Sequence, residues 1–214
     1  LRLVTGAAAA ALLLSGCAAG EKSASEPSSA SAGQTDAVTS ATVKDSGTAR
    51  AQIEAEAAAL VHQNENGQIV LSHKYGETVM PEHPQRIVCI KLEDLALALG
   101  VDLTACQQLE GYYLEDQIQS LGIGSIAVDE ESNTVNLEQV LSYEPDLILL
   151  RDSFEPSVYE ELSKIAPVAA FDLKDTEVSL LAMGKALGME QEALSRLEQY
   201  HQKLDDAKEA LSAV

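Results

Sequence analysis

Asp-Leu-Ile-Leu-Leu, at residues 146–150, is the stretch that decides the fold. Its four consecutive aliphatic residues leave no polar face, which is typical of a strand that is covered on both faces of a parallel sheet. Arg-Ile-Val-Cys-Ile at 86–90 has the same character. Shorter apolar runs at 103–106, 125–128 and 168–171 predict three further strands.

Segments of helical periodicity separate these strands. They cover residues 92–99, 136–143 and 155–165, with Gly100 as a stop for the first and Asn136 as an N-cap for the second. Strands that alternate with helices indicate βαβ units, and right-handed crossovers place helices on both faces of the sheet. The predicted fold class is therefore α/β, a Rossmann-like lobe around a central parallel sheet.

The lobe is flanked by a hairpin before it and by helices after it. A small β-hairpin is predicted over residues 68–80, and two helices over 176–187 and 190–211, separated by Gly188. The last helix carries an apolar stripe at three- and four-residue spacing. The stripe consists of Leu194, Leu197, His201, Leu204, Lys208 and Leu211. Such a stripe needs a partner, so either the helix folds back on the lobe or another half of the protein is missing.

Composition excludes several classes of protein. The chain has 214 residues, with 14 Lys+Arg against 34 Asp+Glu and a net charge of −20, which argues against a duplex nucleic-acid binder. Beyond the N-terminus there is no run of about 20 apolar residues, so a polytopic membrane protein is excluded. The three cysteines are too sparse for a disulfide-stapled miniprotein.

The N-terminal 17 residues have the form of a secretory signal. An apolar run at 6–14 is followed by small residues and then by Cys17. Leu-Ser-Gly-Cys at 14–17 resembles a bacterial lipobox, in which the cysteine is acylated; the alternative is a plain signal peptide with an incidental cysteine. A lipidated Cys17 would carry two or three acyl chains and hold the protein on the extracytoplasmic face of a membrane.

Residues 18–66 are predicted to be a flexible, disordered linker, because their Ser-, Ala- and Gly-rich composition offers little apolar surface to bury. Within them, an Ala-rich run at 50–62 is compatible with a short helix. The predicted organisation is thus a lipoprotein signal at 1–17, a linker at 18–66, a ligand-binding lobe at 67–174 and a helical segment at 175–214.

Six short segments, in this order, resemble the periplasmic iron–siderophore and cobalamin binding proteins of ABC importers. They are HKYGETVMP at 73–81, PQRIV at 84–88, NLEQV at 136–140, EPDLI at 144–148, YEELSKIAP at 159–167 and MGKALG at 183–188. The resemblance implies two Rossmann-like lobes joined by a rigid helix, with the ligand held between them. On this basis the chain contains the first lobe and the connecting helix, and a truncated form is expected.

The function that the resemblance implies is that of a solute-binding protein. It would be a monomeric lipid-anchored protein outside the cytoplasm that captures a ferric siderophore, or haem or cobalamin, and delivers it to an ABC permease. It would carry no cofactor and catalyse no reaction. Two other classes are a tethered single-lobe module for protein interaction and an anchored hydrolase. The hydrolase lacks any nucleophile–base constellation.

Ligands of open α/β sheets lie beyond the carboxyl ends of the strands, which selects candidate binding residues. They are Lys91, Glu93, Gln107, Tyr112, Tyr113, Arg151 and Asp152. Arg151 is the strongest candidate, because a guanidinium stays charged and donates several hydrogen bonds to an oxygen-rich anion. The alternatives are an Arg151 paired with Asp152 or Glu155, a Lys91 paired with Glu93, and tyrosines that only pack or anchor a loop.

Four further features complete the prediction. The resemblance implies that Glu138 pairs with arginines of the permease, whereas the residues alone allow a solvated acid at a helix start. Cys89 and Cys106 are expected as small buried hydrophobes, with a disulfide as the alternative. None of the four histidines has metal-ligand spacing. The acidic run at 129–131 is typical of a solvated loop, with a run that attracts a cation as the alternative.

Overall fold

A computed structural model describes residues 38–107 and 110–212 of the chain. The predicted signal sequence, its lipidation residue Cys17 and the predicted linker up to residue 37 lie outside the described residues. The elements follow in the order α1 (Val38–Leu60), β1 (Val61–Gln63), β2 (Ile69–His73), β3 (Gly76–Val79), β4 (Ile87–Ile90), α2 (Glu93–Leu99), β5 (Leu103–Gln107), α3 (Glu115–Ser120), β6 (Gly124–Ile126), β7 (Val128–Asp129), β8 (Thr134–Val135), α4 (Leu137–Ser142), β9 (Leu147–Arg151), α5 (Pro156–Ser163), β10 (Val168–Phe171), α6 (Thr176–Ala186) and α7 (Glu190–Ser212).

The central sheet has five strands in the order β10-β9-β4-β5-β6, and every pair is parallel. The chain enters at β4, builds outward through β5 and β6, and then returns to the other side of β4 with β9 and β10. The strand order therefore reverses at β4, which makes it the topological switch point of the sheet. The α/β class and each of the five predicted strands are confirmed, with small shifts at the strand ends.

Both faces of the sheet are covered, as the unbroken apolar strands predict. Val88, Cys89 and Ile90 of β4 are each 0% exposed, and successive side chains enter opposite clusters. One cluster contains buried residues of α2, α6 and α7, and the other those of α4 and α5. Each large aliphatic side chain fully buried in this way contributes roughly 1.5–3 kcal/mol.

The folded part begins earlier than the predicted boundary at residue 67. Within the predicted linker, α1 runs to Leu60 and β1 pairs antiparallel with β2, with Val61 opposite Leu71. Ala57 and Val61 are each 3% exposed and belong to the core. A short helix was an expectation for residues 50–62, but averaged composition did not show that Ile53, Ala57 and Leu60 of this helix pack on the core. The predicted hairpin is the outer part of a three-stranded sheet.

Helix α7 packs on the lobe through its first half. Gly188, at φ 72°, ends α6, and a Cβ on Gly184 would lie 2.4 Å from the Cβ of Ala193, so the glycine lets the two helices approach closely. Of α7, only Ala193 and Leu197 are buried. Leu204 and Leu211 are 37% and 78% exposed, so the second half of the predicted stripe faces solvent. None of the described helices is long and apolar enough to cross a membrane.

Candidate functional site

The carboxyl ends of the strands that flank the switch point form the candidate site. Arg151 is the last residue of β9, Lys91 directly follows β4, and Gln107 is the last residue of β5. Because β9, β4 and β5 are neighbouring parallel strands, these three residues share one edge of the sheet. The structure thus brings the main predicted ligand-binding residues to the edge where such sheets hold their ligands.

Arg151 is exposed at this edge. Its Cα partner in the sheet is Phe171 of β10, so its backbone is fixed by the parallel ladder. The ion pairs among the described residues do not include Arg151, and none joins it to Asp152 or Glu155. The alternative in which a neighbouring carboxylate neutralises Arg151 is therefore not what the structure shows.

The loop after Arg151 is held by the tip of the β2–β3 hairpin. Lys74 Nζ donates a hydrogen bond to the carbonyl of Asp152 at 2.8 Å. The Tyr75 hydroxyl donates to the carbonyls of Asp152, at 3.1 Å, and Phe154, at 2.6 Å. The Tyr75 ring also stacks on Tyr159 with 4.5 Å between ring centroids. Asp152 thus contributes its backbone to the support of the site.

Sequence reasoning missed this role of the hairpin. About eighty residues separate Tyr75 from Phe154, and nothing in the local pattern brings them together. The available signal was compositional, since aromatic residues are only 4% of the chain and Tyr75 lies in the predicted hairpin. A tyrosine in such a place usually has a hydrogen-bond partner for its hydroxyl when it is partly buried.

His73 connects the β2–β3 hairpin, through Thr78, to the first residue of the edge strand β10. Its Nδ1 accepts a hydrogen bond from the Tyr75 amide at 3.2 Å, which leaves Nε2 as the donor to Thr78 Oγ1 at 2.9 Å. Thr78 in turn donates to the carbonyl of Val168 at 2.6 Å. Burial lowers the pKa of His73, so the neutral ring is the form that this arrangement favours.

Lys91 differs from Arg151 because its charge is already paired. Its Nζ donates to Glu130 Oε2 at 3.0 Å and to Asn133 Oδ1 at 2.9 Å, and lies 5.2 Å from the centre of the Phe154 ring. The carboxylate partner of the ammonium group is therefore Glu130, and the alternative in which Lys91 pairs with Glu93 is not what the structure shows. Lys91 and Asn133 both have positive φ angles, of 61° and 51°, which are uncommon for residues other than glycine.

Glu93 is buried at the start of α2 and links two strand ends. It is 3% exposed, and its Oε1 accepts the amides of Lys91 and Gln107, each at 3.1 Å. Burial raises the pKa of Glu93, which opposes the effect of these hydrogen bonds. Its contact with a ligand stays a prediction, while its role in the fold is to join β4 to β5 at the candidate site.

Gln107 is equally buried, at 3% exposure. Its Nε2 donates to Glu130 Oε1, and its own Oε1 is buried without a hydrogen-bond partner among the described residues. The acidic run at 129–131 is thus more than a solvated loop, because its middle residue, Glu130, accepts hydrogen bonds from Lys91 and Gln107. No sequence signal singled out Glu130, because its partners lie on other strands.

The two predicted tyrosines meet Asp94 of α2. The Tyr112 hydroxyl donates to Asp94 Oδ2 at 2.7 Å, and the Tyr113 hydroxyl donates to Oδ1. This bond to Asp94, with burial, raises the pKa of Tyr113, whose side chain is nevertheless 73% exposed. Loop anchoring is thus part of their role, and contact with a ligand stays a prediction.

A groove of about 860 Å³ lies beside the helices and does not include the charged strand ends. It is lined by Tyr113 and by residues of α2, α6 and α7 that include Asp94 and Arg196, but not by Lys91 or Arg151. The carboxyl ends of the parallel strands are the candidate site because open α/β sheets bind their ligands there and because Lys91 and Arg151 lie there.

Glu138 lies away from these contacts, exposed in the first turn of α4. The helix begins at Asn136, whose side chain accepts the amide of Gln139 at 3.1 Å, as the predicted N-cap requires. Leu141, three residues after Glu138 and therefore on the same side of the helix, is 59% exposed. The acid and the exposed leucine thus lie side by side on the surface, and the docking role of Glu138 stays a prediction.

Cys89 and Cys106 are confirmed as buried hydrophobes. They are paired in register on β4 and β5, and both are free thiols with 0% exposure. Burial raises the pKa of Cys106 to about 12 and also raises that of Cys89 well above its usual value. The described residues contain no group of three or more His, Cys, Asp or Glu that could hold a metal ion.

A doubly wound lobe with charged residues at the carboxyl ends of its switch-point strands defines a ligand-binding domain. The family model for the periplasmic binding proteins matches residues 91–214, which is more than half of the chain. The chain therefore belongs to this family of solute-binding proteins, and the predicted family resemblance is confirmed.

Several relatives are similar over about two thirds of this chain. YhfQ of Bacillus subtilis, which carries the provisional name of an ABC transporter substrate-binding lipoprotein, is 32% identical over 158 residues, or 68% of this chain and 47% of YhfQ. The Fe(3+)-citrate-binding protein YfmC of the same organism is 28% identical over 66% of this chain and 47% of its own length.

Solved structures agree with this assignment. SirA of Staphylococcus aureus, complexed with staphyloferrin B, has a TM-score of 0.58 and 29% identity, over 67% of this chain and 50% of SirA. PiaA of Streptococcus pneumoniae, in complex with ferrichrome, has a TM-score of 0.56 and 27% identity, over 66% of this chain and 52% of PiaA. The chain thus spans about half the length of the relatives that it matches.

Proposed function

We propose that this chain is the ligand-binding part of a solute-binding protein of an ABC importer, and that it captures a ferric chelate at the carboxyl edge of its sheet. The exposed Arg151, without an ion-pair partner among the described residues, is the observation that carries the proposal. Ferric chelates present anionic oxygens, and a guanidinium donates a planar set of hydrogen bonds to them. The iron is part of the transported ligand and not a cofactor.

The names of the relatives support this ligand class. SirA was crystallised with staphyloferrin B, PiaA with ferrichrome, and YfmC is named for ferric citrate. These ligands differ in chemistry, so the names alone favour ferric chelates as a class. Haem and cobalamin remain the other ligands that the sequence resemblance implies.

A binding titration tests the proposal. Purified protein is titrated with ferric citrate, ferrichrome, haem and cobalamin, with intrinsic tyrosine fluorescence as the signal, since the chain contains no tryptophan. We expect R151A to weaken binding of the ferric chelate by about tenfold or more, as the loss of a charge-assisted contact does. R196A, a change at an exposed arginine on α7, is the matched control and should bind as the wild type does. Absence of a response to all four ligands would refute the proposal.

Delivery to the permease is the second part of the proposal, and Glu138 is assigned to it. Its exposure beside Leu141, away from Arg151 and Lys91 in sequence and contacts, supports a docking role. In cells that depend on the importer, E138K should reduce uptake of the chelate without changing its affinity, whereas E198K on α7 should change neither. Unchanged uptake in E138K would count against docking.

Anchoring completes the proposed function. We assign Cys17 as the acylated residue of a monomer held at the extracytoplasmic face, on the strength of the lipobox-like sequence and the lipoprotein name of YhfQ. Two or more acyl chains suffice for stable attachment. Radiolabelled palmitate should be incorporated into the wild type and not into C17S, and C17S should appear in the soluble fraction. Equal labelling of both proteins would show that Cys17 is not the anchor.

A further inference from the structure

Two donors converge on one carboxylate at the ends of β4 and β5. Lys91 Nζ donates to Oε2 of Glu130 at 3.0 Å, and Gln107 Nε2 donates to Oε1 of the same group. A charged donor and a neutral donor, each directed at a different oxygen, are the arrangement that recognises a planar carboxylate. Here the recognised carboxylate belongs to the chain itself.

The donors and the acceptor differ in how firmly the fold holds them. The side chain of Lys91 is 16% exposed and Gln107 is 3% exposed, whereas the side chain of Glu130 is 63% exposed. Glu130 lies in the turn between the two-residue strands β7 and β8. Solvent screens an ion pair whose carboxylate is this exposed, so Glu130 is the partner that the fold holds least firmly. Glu130 can therefore be exchanged for another carboxylate, while Lys91 and Gln107 stay in place.

The burial of Gln107 explains why the subsite needs a carboxylate. Gln107 is 3% exposed and its Nε2 donates to Glu130, and a buried donor left without an acceptor costs about 1–3 kcal/mol, so a departing Glu130 has to be replaced by another acceptor. The donors also keep the carboxylate ionised, since the hydrogen bond from Lys91 lowers the pKa of Glu130.

We propose that Lys91 and Gln107 form a carboxylate-binding subsite, that Glu130 occupies it in the ligand-free protein, and that a carboxylate of the ligand displaces Glu130. The subsite selects chelates with free carboxylates, such as ferric citrate, over hydroxamate chelates without them. The subsite itself rests on the contacts described above, and only its use for a ferric chelate rests on the proposed function.

The first experiment fills the subsite from outside without iron. E130A removes the internal carboxylate, and E131A, a change at the next exposed acid of the same loop, is the matched control. Thermal unfolding midpoints are compared in sodium citrate, sodium acetate and sodium chloride of equal ionic strength. We expect the two carboxylates to raise the midpoint of E130A more than that of the wild type or E131A, and to lose this effect in E130A/K91M. An equal response in E130A and E131A would overturn the subsite.

The second experiment tests competition with the ligand. E130A should bind ferric citrate up to about fivefold more tightly than the wild type, which corresponds to the loss of an exposed ion pair. E130Q, which keeps an acceptor for Gln107, should lie between them, and the affinity of each protein for ferrichrome should not change. If the wild type binds no chelate but citrate stabilises E130A, the proposed function fails and the subsite stands. If chelates bind but E130A and the wild type have equal affinity for ferric citrate, displacement is refuted.

Discussion

The two sides of the carboxyl edge differ in how their cations are held. On the β9 side, Arg151 is exposed and takes part in no ion pair among the described residues. The loop that follows Arg151 is held by Lys74 and Tyr75, which donate hydrogen bonds to its backbone carbonyls. On the β4 side, Lys91 is paired with Glu130. Because the support for its loop uses neutral carbonyls, Arg151 can pair directly with an anionic ligand. Lys91 must first lose its partner Glu130 before it can do so.

The largest effect is expected from Glu93, on the β4 side. E93A leaves the amides of Lys91 and Gln107 without their acceptor, at about 1–3 kcal/mol each, so the free energy of unfolding should fall by about 2–6 kcal/mol. E93Q keeps an acceptor and removes a buried charge, so its change should stay below about 1.5 kcal/mol. Urea unfolding followed by circular dichroism measures both. Equal losses in the two variants would show that charge, and not hydrogen bonding, joins the strands.

E93Q also carries a prediction about pH. Because the pKa of Glu93 is raised in the folded protein, the wild type loses stability as pH rises from the unfolded pKa of about 4.3 through the folded value. E93Q cannot titrate at this position, so its unfolding midpoint should depend less on pH over that interval. An unchanged pH profile would contradict the stated environment of Glu93.

A smaller effect is expected from Tyr75, on the β9 side. Y75F keeps the stacking on Tyr159 and removes the hydroxyl that binds the carbonyls of Asp152 and Phe154, which should cost about 0.5–1.5 kcal/mol of unfolding free energy. Because these bonds position the loop after Arg151, Y75F should also weaken chelate binding. Y159F, which alters the other ring of the stack, should bind normally. Loss of stability without loss of affinity would separate the hairpin from the site.

The smallest effect is a pH dependence from His73. Its pKa is lowered by burial, so protonation disfavours the folded state, and stability is lost as pH falls from about 6.5 through the lower folded value. Between about pH 7 and pH 5 the unfolding midpoint of the wild type should therefore decrease more than that of H73Q. H83Q, at an exposed histidine, is the control and should follow the wild type. If H73Q also follows the wild type, His73 is not the titrating group.

The sequence predicted the sheet well because its strands carry their own signal. An unbroken apolar run such as residues 146–150 must be covered on both faces, and an amphipathic helix between two such runs supplies the cover. The N-cap at Asn136 and the stop at Gly188 are local and were predicted equally well. The boundary of the linker was wrong because averaged composition conceals a short apolar face such as that of Ile53 and Ala57.

The site was predicted in its position but not in its contacts. The rule for parallel strands places Arg151 and Lys91 at one edge whatever surrounds them. It does not say which of them has a partner, because the partner of Lys91 is thirty-nine residues away in a loop. The support from Tyr75 is equally remote in sequence.

By itself, the sequence determined the α/β class, the five strands of the central sheet, the family and the set of charges at the carboxyl edge. These depend on local pattern and on the short-range stereochemistry of strands and helices. Only the tertiary structure decided that Arg151 is exposed without an ion pair among the described residues while Lys91 is paired, and that Glu93 is buried between two strand ends. The physical reason is that pairing and burial depend on which distant segments the fold brings within hydrogen-bond distance. A local sequence pattern does not specify contacts between residues that are far apart in the chain.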